Sequence, residues 1–237
     1  RYDKAIERLN AVITQKEKIA GLYKNLNQTK QTLATQNQEL RNSNEEIRKN
    51  EERLHFLAYY DGLTELPNRK MILERLQLLV NLSENEKSAF YIVFIDLDNF
   101  KKINDTLGHA TGDDVLRHFV LLASRCLRNE DVMGRLGGEE FAIFLPTAGE
   151  AGGLTVAARL RGMVELNPAQ IGQHRIALTV SVGVALCAED ETADAVLQRA
   201  DQSMYLAKER GRNRVEIQPQ VFVSGAQAQW PTCQVPA

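Results

Sequence analysis

Apolar residues recur every seven positions near the start of the chain, at Val12, Ile19, Leu26, Leu33, Leu40, Ile47 and Leu54. This row is one half of a coiled-coil seam. The first 60 residues that contain it hold no proline and one glycine, Gly21. The other half of the seam is polar. With the row at d, the a positions read Leu9, Lys16, Tyr23, Lys30, Asn37, Asn44 and Glu51. With the row at a, the d positions read Gln15, Leu22, Thr29, Gln36, Ser43, Asn50 and Leu57. Polar groups in a seam weaken a dimer, yet they fix its register or permit two registers. A continuous helix of this kind is roughly 90 Å long at 1.5 Å per residue, too thin to stand alone. The pattern predicts a stalk over residues 1–58 that pairs in parallel with a second copy. A helix folded back on its own domain, or partly frayed, is the alternative.

The pattern breaks at Tyr60-Asp61-Gly62, where a second domain is expected over residues 59–218. Met71–Val80 has helical periodicity, and Ser83–Ser88 reads as a charged loop. Phe90–Ile95 is a continuous apolar run of the kind a fully buried strand carries. Val115–Leu127 reads as a helix, Val132–Leu136 and Phe141–Leu145 as a hairpin about Gly137-Gly138, and Ala151–Leu166 as a helix stopped near Pro168. Arg175–Ala188 reads as strand, Ala193–Lys208 as helix and Val215–Ile217 as a last short strand. Alternating strands and helices with one hairpin imply a mixed α/β domain, its helices packed on a central sheet. Pro219–Ala237 reads as a loose tail.

Composition narrows the function classes. With 43% apolar and 25% charged residues among 237, the chain is neither disordered nor a disulfide framework. The net charge of −2 provides no global basic field, which argues against a nucleic-acid partner. Residues 1–60 carry 11 basic and 8 acidic side chains (+3), leaving 18 and 23 (−5) for the remainder. Cys126, Cys187 and Cys233 are an odd number without metal-ligand spacing, so a reducing, cytoplasmic setting is expected. The longest nearly apolar run, Ala177–Ala188, is too short for a membrane span. Because the chain begins at Arg1, an upstream sensor domain, with room for a membrane anchor, is expected beyond it.

Three acidic clusters could carry chemistry. Asp96-Leu97-Asp98 follows the buried strand, where α/β sheets bind phosphate and metal. Asp98 suits the job of capping the next helix, which leaves Asp96 free for a metal. Glu139-Glu140 follows the Gly137-Gly138 turn, and adjacent carboxylates there call for a cation. Strand alternation would send them to opposite faces, so that only one joins Asp96; a solvated turn is the plainer reading. Asn104-Asp105, Gly108-His109 and Gly112-Asp113-Asp114 offer carboxamide and carboxylate groups suited to the donor-rich edge of guanine, or simply two helix caps around Gly108. Lys101, Lys208 and Arg212 could reach a polyphosphate. The four histidines form no catalytic arrangement, and no Walker loop is present.

In order along the chain stand Asp61-x-Leu63-Thr64-x-Leu66-x-Asn68-Arg69, Asp96-x-Asp98-x-Phe100-Lys101-x-x-Asn104-Asp105, Gly108-His109-x-x-Gly112-Asp113, Gly137-Gly138-Glu139-Glu140-Phe141 and Ala207-Lys208-x-x-Gly211-Arg212-Asn213. This series resembles the GGDEF family of diguanylate cyclases, whose fold is like the palm of nucleotide cyclases and polymerases. The resemblance implies condensation of two GTP into cyclic di-GMP with release of two pyrophosphates, at a site completed only when two domains face each other. It implies that Asp96, Glu139 and the Leu97 carbonyl hold Mg²⁺ or Mn²⁺, two ions per half-site. Asn104 and Asp113 would read guanine, Lys101, Lys208 and Arg212 would steady phosphates, and Glu139 would assist deprotonation of the 3′-hydroxyl. Glu140 would support a metal or the turn. Arg128-x-x-Asp131, five residues before Gly137, matches the family's product-inhibition motif, with Arg159 as its secondary arginine; a surface ion pair is the plainer alternative. An inactive GGDEF module that binds GTP or cyclic di-GMP and relays a signal is the main rival reading. A purely structural adaptor would leave these residues unexplained, and Asp113 argues against ATP.

Overall fold

All eight residues of β1 (Phe90–Leu97) are buried, and the rest of the fold is arranged about that strand. The computed structural model describes residues 2–86, 89–146, 152–187 and 191–218, and the chain divides into two units, Arg1–Phe56 and Leu57–Ala237. The first is the greater part of helix α1, which runs Tyr2–Tyr59. The whole seven-residue row, from Val12 at 51% to Leu54 at 66%, is exposed in the single chain.

The second unit contains α2 (Arg69–Glu86), α3 (Phe100–Leu107), α4 (His109–Ser124), β2 (Val132–Gly137), β3 (Glu140–Leu145), α5 (Gly152–Leu166), β4 (Ala169–Ile171), β5 (His174–Ile176), β6 (Val180–Cys187), α6 (Ala193–Glu209) and β7 (Arg214–Ile217). Five strands form one sheet in the order β2-β3-β1-β6-β7. β1 runs antiparallel to both β3 and β6, and β7 joins β6 in parallel, so the sheet is mixed as expected.

Side chains alternate across a strand, and β1 therefore supplies two cores. Tyr91, Val93, Ile95 and Leu97 pack with Val115 and Phe119 of α4 and Leu160 of α5. Phe90, Ile92 and Phe94 pack with Ile72 and Leu76 of α2 and with Val196, Ala200 and Met204 of α6. Each such side chain contributes on the order of 1.5–3 kcal/mol when fully buried. The same alternation puts Asp96 on the α6 side. That helix lies very close to the sheet at Gly183, where a Cβ would overlap the Ala200 carbonyl oxygen and the Met204 nitrogen.

Several expected boundaries shift. The predicted loop over Ser83–Ser88 is partly helix, since α2 continues to Glu86 and buries Ser83; residues 87–88 lie outside the described residues. The helix expected from Val115 begins at His109, because Gly108 (φ 85) breaks the chain between α3 and α4 and the first turn of α4 contains the Gly112-Asp113 motif. The strand expected over Arg175–Ala188 is two: β5 pairs with β4 in a separate hairpin, and β6 starts only at Val180. The start of the expected Ala151–Leu166 helix and the whole tail from Pro219 lie outside the described residues.

A strap between α1 and α2 closes the domain. Asn68 caps α2 through Met71 N–H and donates to the carbonyl of Ala58. Asp61 Oδ1 accepts from Thr64 N (2.8 Å), Thr64 Oγ1 (2.6 Å) and Arg135 Nη1 (2.9 Å). Burial pushes this carboxyl upward, but the bonds from Thr64 and Arg135 overcome that and hold it below its ordinary value of 3.8. Asp61 thus stabilises the fold above the ordinary value, and the contribution fades as pH falls through the lowered one. Asp61→Ala is expected to cost about 1–3 kcal/mol at neutral pH. Urea unfolding compared with the parent at pH 7 and under acid checks this, and the gap should close in acid.

Candidate active site

Asp96 is the last acidic residue of β1, only 4% exposed, with Glu140 of β3 and Ser181 of β6 as its register partners. Lys208, from the last turn of α6, places Nζ 2.7 Å from Asp96 Oδ2. Burial pushes the Asp96 carboxyl above its ordinary range; Lys208 opposes the shift, while the charges of Glu140 and Asp98 reinforce it. Glu139 is also pushed up, first by burial and then by Asp96 and Glu140, against the pull of Lys208. Asp96, Glu139, Glu140 and Lys208 therefore form one electrostatic cluster with an excess of negative charge.

The turn explains how both glutamates reach it. β2 and β3 are out of step between Arg135 and Gly137, leaving Leu136 as an extra residue. Gly138 takes φ 40, a backbone state that favours glycine. Glu139 lies in the turn and not in β3, so strand alternation does not govern it. The strand argument for opposite faces therefore does not reach Glu139, since β3 begins at Glu140. Leu97 N donates to Glu139 O at 3.3 Å, tying the turn to the end of β1. Arg135 donates from Nε (3.1 Å) and Nη2 (2.8 Å) to Gly138 O while its third nitrogen holds Asp61. This clamp is missing from the sequence reading. Its signal was a charged residue inside the otherwise apolar run Val132–Leu136.

Asp98 does not cap α3. The cap position is Asn99 at φ 59, with no side-chain cap bond. The Asp98 carboxylate turns instead toward β6 and the segment after α6, accepting from Thr179 Oγ1, Ser181 Oγ and Asn213 N.

Asn104 and Asp113 come from α3 and α4, the two helices joined at Gly108. The helices approach at Gly112, where a Cβ would overlap the Asn104 carboxamide oxygen. Lys101 stands exposed in the first turn of α3. Arg212 (φ 63) and Asn213 (φ 46) both adopt the left-handed conformation, disfavoured by roughly 1–2 kcal/mol for residues with a Cβ. The Arg212 guanidinium has no partner among the described residues, and its side chain is exposed.

At the second candidate site, Asp131 Oδ2 accepts the Arg128 backbone N–H at 2.8 Å, and the Arg128 guanidinium lies 3.9 Å from Glu130. The surface pair between Arg128 and Asp131 side chains is therefore not the arrangement. Arg159 reaches the same loop, donating to Cys126 O at 2.6 Å.

The carboxylate cluster suits a cation: its members raise one another's proton affinity, and Lys208 alone counters them at contact distance of Asp96. Among the described residues no group of three or more His, Cys, Asp or Glu side chains is placed for a metal.

Fold and site together define a palm-like α/β domain of the nucleotide-cyclase type. The chain belongs to the GGDEF family: the family described as the diguanylate cyclase GGDEF domain matches residues 58–214. The response regulator PleD of Caulobacter vibrioides is 41% identical over 162 residues, covering 67% of this chain and 36% of PleD. The cyclic di-GMP phosphodiesterase PdeR of Escherichia coli is 37% identical over 165 residues, covering 69% and 24% respectively. The chain thus spans about a third or less of these two relatives. A crystal structure of the coiled coil and GGDEF domain of DgcB from Caulobacter crescentus, in complex with c-di-GMP, superposes with a TM-score of 0.72 at 30% identity, covering 78% of this chain and 99% of that one. The active GGEEF domain of a diguanylate cyclase from Vibrio cholerae gives 0.61 at 29% identity, covering 65% and 97%. As to the membrane, no helix among the described residues is long and apolar enough to cross one.

Gly112→Ala should favour helix locally by about 1 kcal/mol yet push the Asn104 carboxamide aside. On the reading of Asn104 as a guanine contact, the expected outcome is a folded domain with guanine-nucleotide affinity reduced by about tenfold, the equivalent of one lost hydrogen bond. Calorimetric titration with a non-hydrolysable GTP analogue, beside a thermal melt, checks it.

Proposed function

We propose that this chain is a diguanylate cyclase condensing two GTP into cyclic di-GMP and two pyrophosphates, with product inhibition and a paired stalk. The observation that carries the reading is the cluster of Asp96, Glu139 and Glu140 beside Lys208 at the buried end of β1. Asp96, the Leu97 carbonyl and Glu139 would hold Mg²⁺ or Mn²⁺, two per half-site. When bound, such ions neutralise a triphosphate, polarise its α-phosphorus and acidify an attacking hydroxyl. Lys208, Lys101 and Arg212 bind the phosphates, and Asn104 with Asp113 accepts from and donates to the guanine edge. Glu139, held above its ordinary value, takes the proton of the 3′-hydroxyl; Glu140 supports the turn. Each 3′-oxygen then bonds to the α-phosphorus of the opposite GTP, and the bond to pyrophosphate breaks.

The glutamate at the third position of the signature is compatible with activity, since the Vibrio cholerae relative is described as an active GGEEF domain. Relatives with other overall activities, such as PdeR, make the direct assay decisive. The domain boundaries we assign are residues 1–58 for the stalk, 59–218 for the catalytic domain and 219–237 for the tail. Arg128, Asp131 and Arg159 form the inhibitory site for cyclic di-GMP. A sensor upstream and a cytoplasmic setting complete the reading.

Glu139→Gln is the central test. It should reduce cyclic di-GMP formation by about a hundredfold or more, because both a cation ligand and the base are lost. Product resolved by chromatography after incubation with GTP and Mg²⁺ gives the answer, and a rate within tenfold of the parent defeats the assignment. The raised folded value has a second consequence. Ionised Glu139 opposes folding at pH above its ordinary 4.5, so the metal-free variant should melt at or above the parent temperature at pH 7. That advantage should vanish as pH falls below 4.5.

Exposure of the entire Val12–Leu54 row in one chain supports a helical partner, and a symmetric parallel pair would deliver two domains from one end. Tethering brings half-sites to an effective concentration of roughly millimolar order. Deleting residues 1–54 should leave a monomeric domain whose specific activity climbs with protein concentration. Light scattering and initial rates over a hundredfold concentration range test this; parental specific activity from a monomer at the lowest concentration would refute it.

A further inference from the structure

We propose that Asp98 is a positioning residue that sets the direction of Arg212 by anchoring the left-handed backbone at Asn213. The inference rests on the reading of Arg212 as a phosphate ligand given above. Asp98 is 6% exposed and its carboxylate is shared among three donors. Ser181 Oγ donates to Oδ1 at 2.6 Å; Thr179 Oγ1 at 2.8 Å and Asn213 N at 3.0 Å donate to Oδ2. Its own N–H donates to Thr179 O at 2.9 Å. The two hydroxyls can rotate and would be content with many acceptors. The Asn213 N–H cannot, because the backbone fixes its direction.

That N–H belongs to an unusual stretch. Gly211, Arg212 and Asn213 follow one another at φ 111, 63 and 46, and the last two carry a Cβ that opposes the conformation. Such a path persists only when both ends are held. Arg212 N donates to Ala207 O at 2.9 Å on the α6 side. On the other side stands Asp98, with Arg161 and Glu165 gripping the Asn213 carboxamide at 2.9 and 2.8 Å. The Arg212 side chain is exposed and makes no hydrogen bond or ion pair among the described residues, so no polar partner fixes its direction and the backbone sets where it departs. A charge-assisted bond, roughly twice as strong as a neutral one, is the fitting anchor for a strained path. A helix cap at α3 does not account for Asp98, since it makes no such bond.

The test is a double-mutant cycle on the full chain, read by binding of a non-hydrolysable GTP analogue. Asp98→Ala should weaken binding about tenfold in the parent background and less than twofold beside Arg212→Ala. Equal losses in both backgrounds, the signature of a merely structural role, overturn the inference, as does parental binding by Asp98→Ala. If Asp98→Ala does not fold, the near-isosteric Asp98→Asn serves. Its neutral acceptor should weaken binding two- to threefold, only with Arg212 present, and speed amide exchange at Asn213 at least threefold; no change in either overturns the inference. Arg212→Ala binding the analogue as the parent does would remove the phosphate role and this inference with it. A chain that shows the cycle but makes no cyclic dinucleotide defeats the cyclase reading alone.

Discussion

Two carboxylates buried at the end of the central strand are the constraint to which the rest of the domain answers. Asp96 and Asp98 are 4% and 6% exposed, and an isolated charge in such a place is strongly unfavourable. The structure meets the two demands differently. Asp98 is supplied with hydroxyl and amide donors from β6 and the segment after α6, so it becomes part of the scaffold. Asp96 is given one lysine and two further carboxylates, so its demand is left partly unmet. A cation is the natural complement of the second arrangement and would add nothing to the first.

That contrast depends on long-range placement. Lys208 reaches Asp96 because α6 can sit against β6 at Gly183, and Glu139 reaches it because Leu136 bulges and Gly138 turns left-handed. Arg135 then fastens the turn to Asp61, 74 residues away in sequence. The Gly137-Gly138 turn and the strap that follows α1 are consequently one hydrogen-bonded unit.

Much of this was legible in the sequence because the physics was local. A continuous apolar run reads as a buried strand, paired glycines read as a turn, and a seven-residue apolar row reads as a helix seeking a partner. Asp96, Glu139, Lys208 and Arg212 stand out because acidic or basic groups beside such elements are conspicuous. What stayed hidden depended on partners far along the chain. Asp98 looked like a cap because capping is the only use for it visible within four residues. The role of Gly112 needs two helices already docked. The opposed faces expected of Glu139 and Glu140 assumed a strand where a two-residue turn intervenes.

The local rules fail in a pattern. Among the described residues four non-glycines take positive φ: Glu65, Asn99, Arg212 and Asn213. Glu65 lies in the strap whose Asp61 holds Arg135; Asn99 adjoins Asp98; Arg212 and Asn213 lie where Asp98 makes its most distant bond. Each departure from ordinary backbone is thus close, in sequence or through a hydrogen bond, to a buried or half-buried carboxylate with several donors. Strain and buried charge are separately unfavourable, and here each stabilises the other. The carboxylate gains an amide that only the unusual backbone presents, and the backbone is held by a bond that only a buried anion makes so strong. A sequence optimised for stability alone would discard both together. Their joint presence sets this end of the sheet apart, while β1 and its two apolar cores carry the fold.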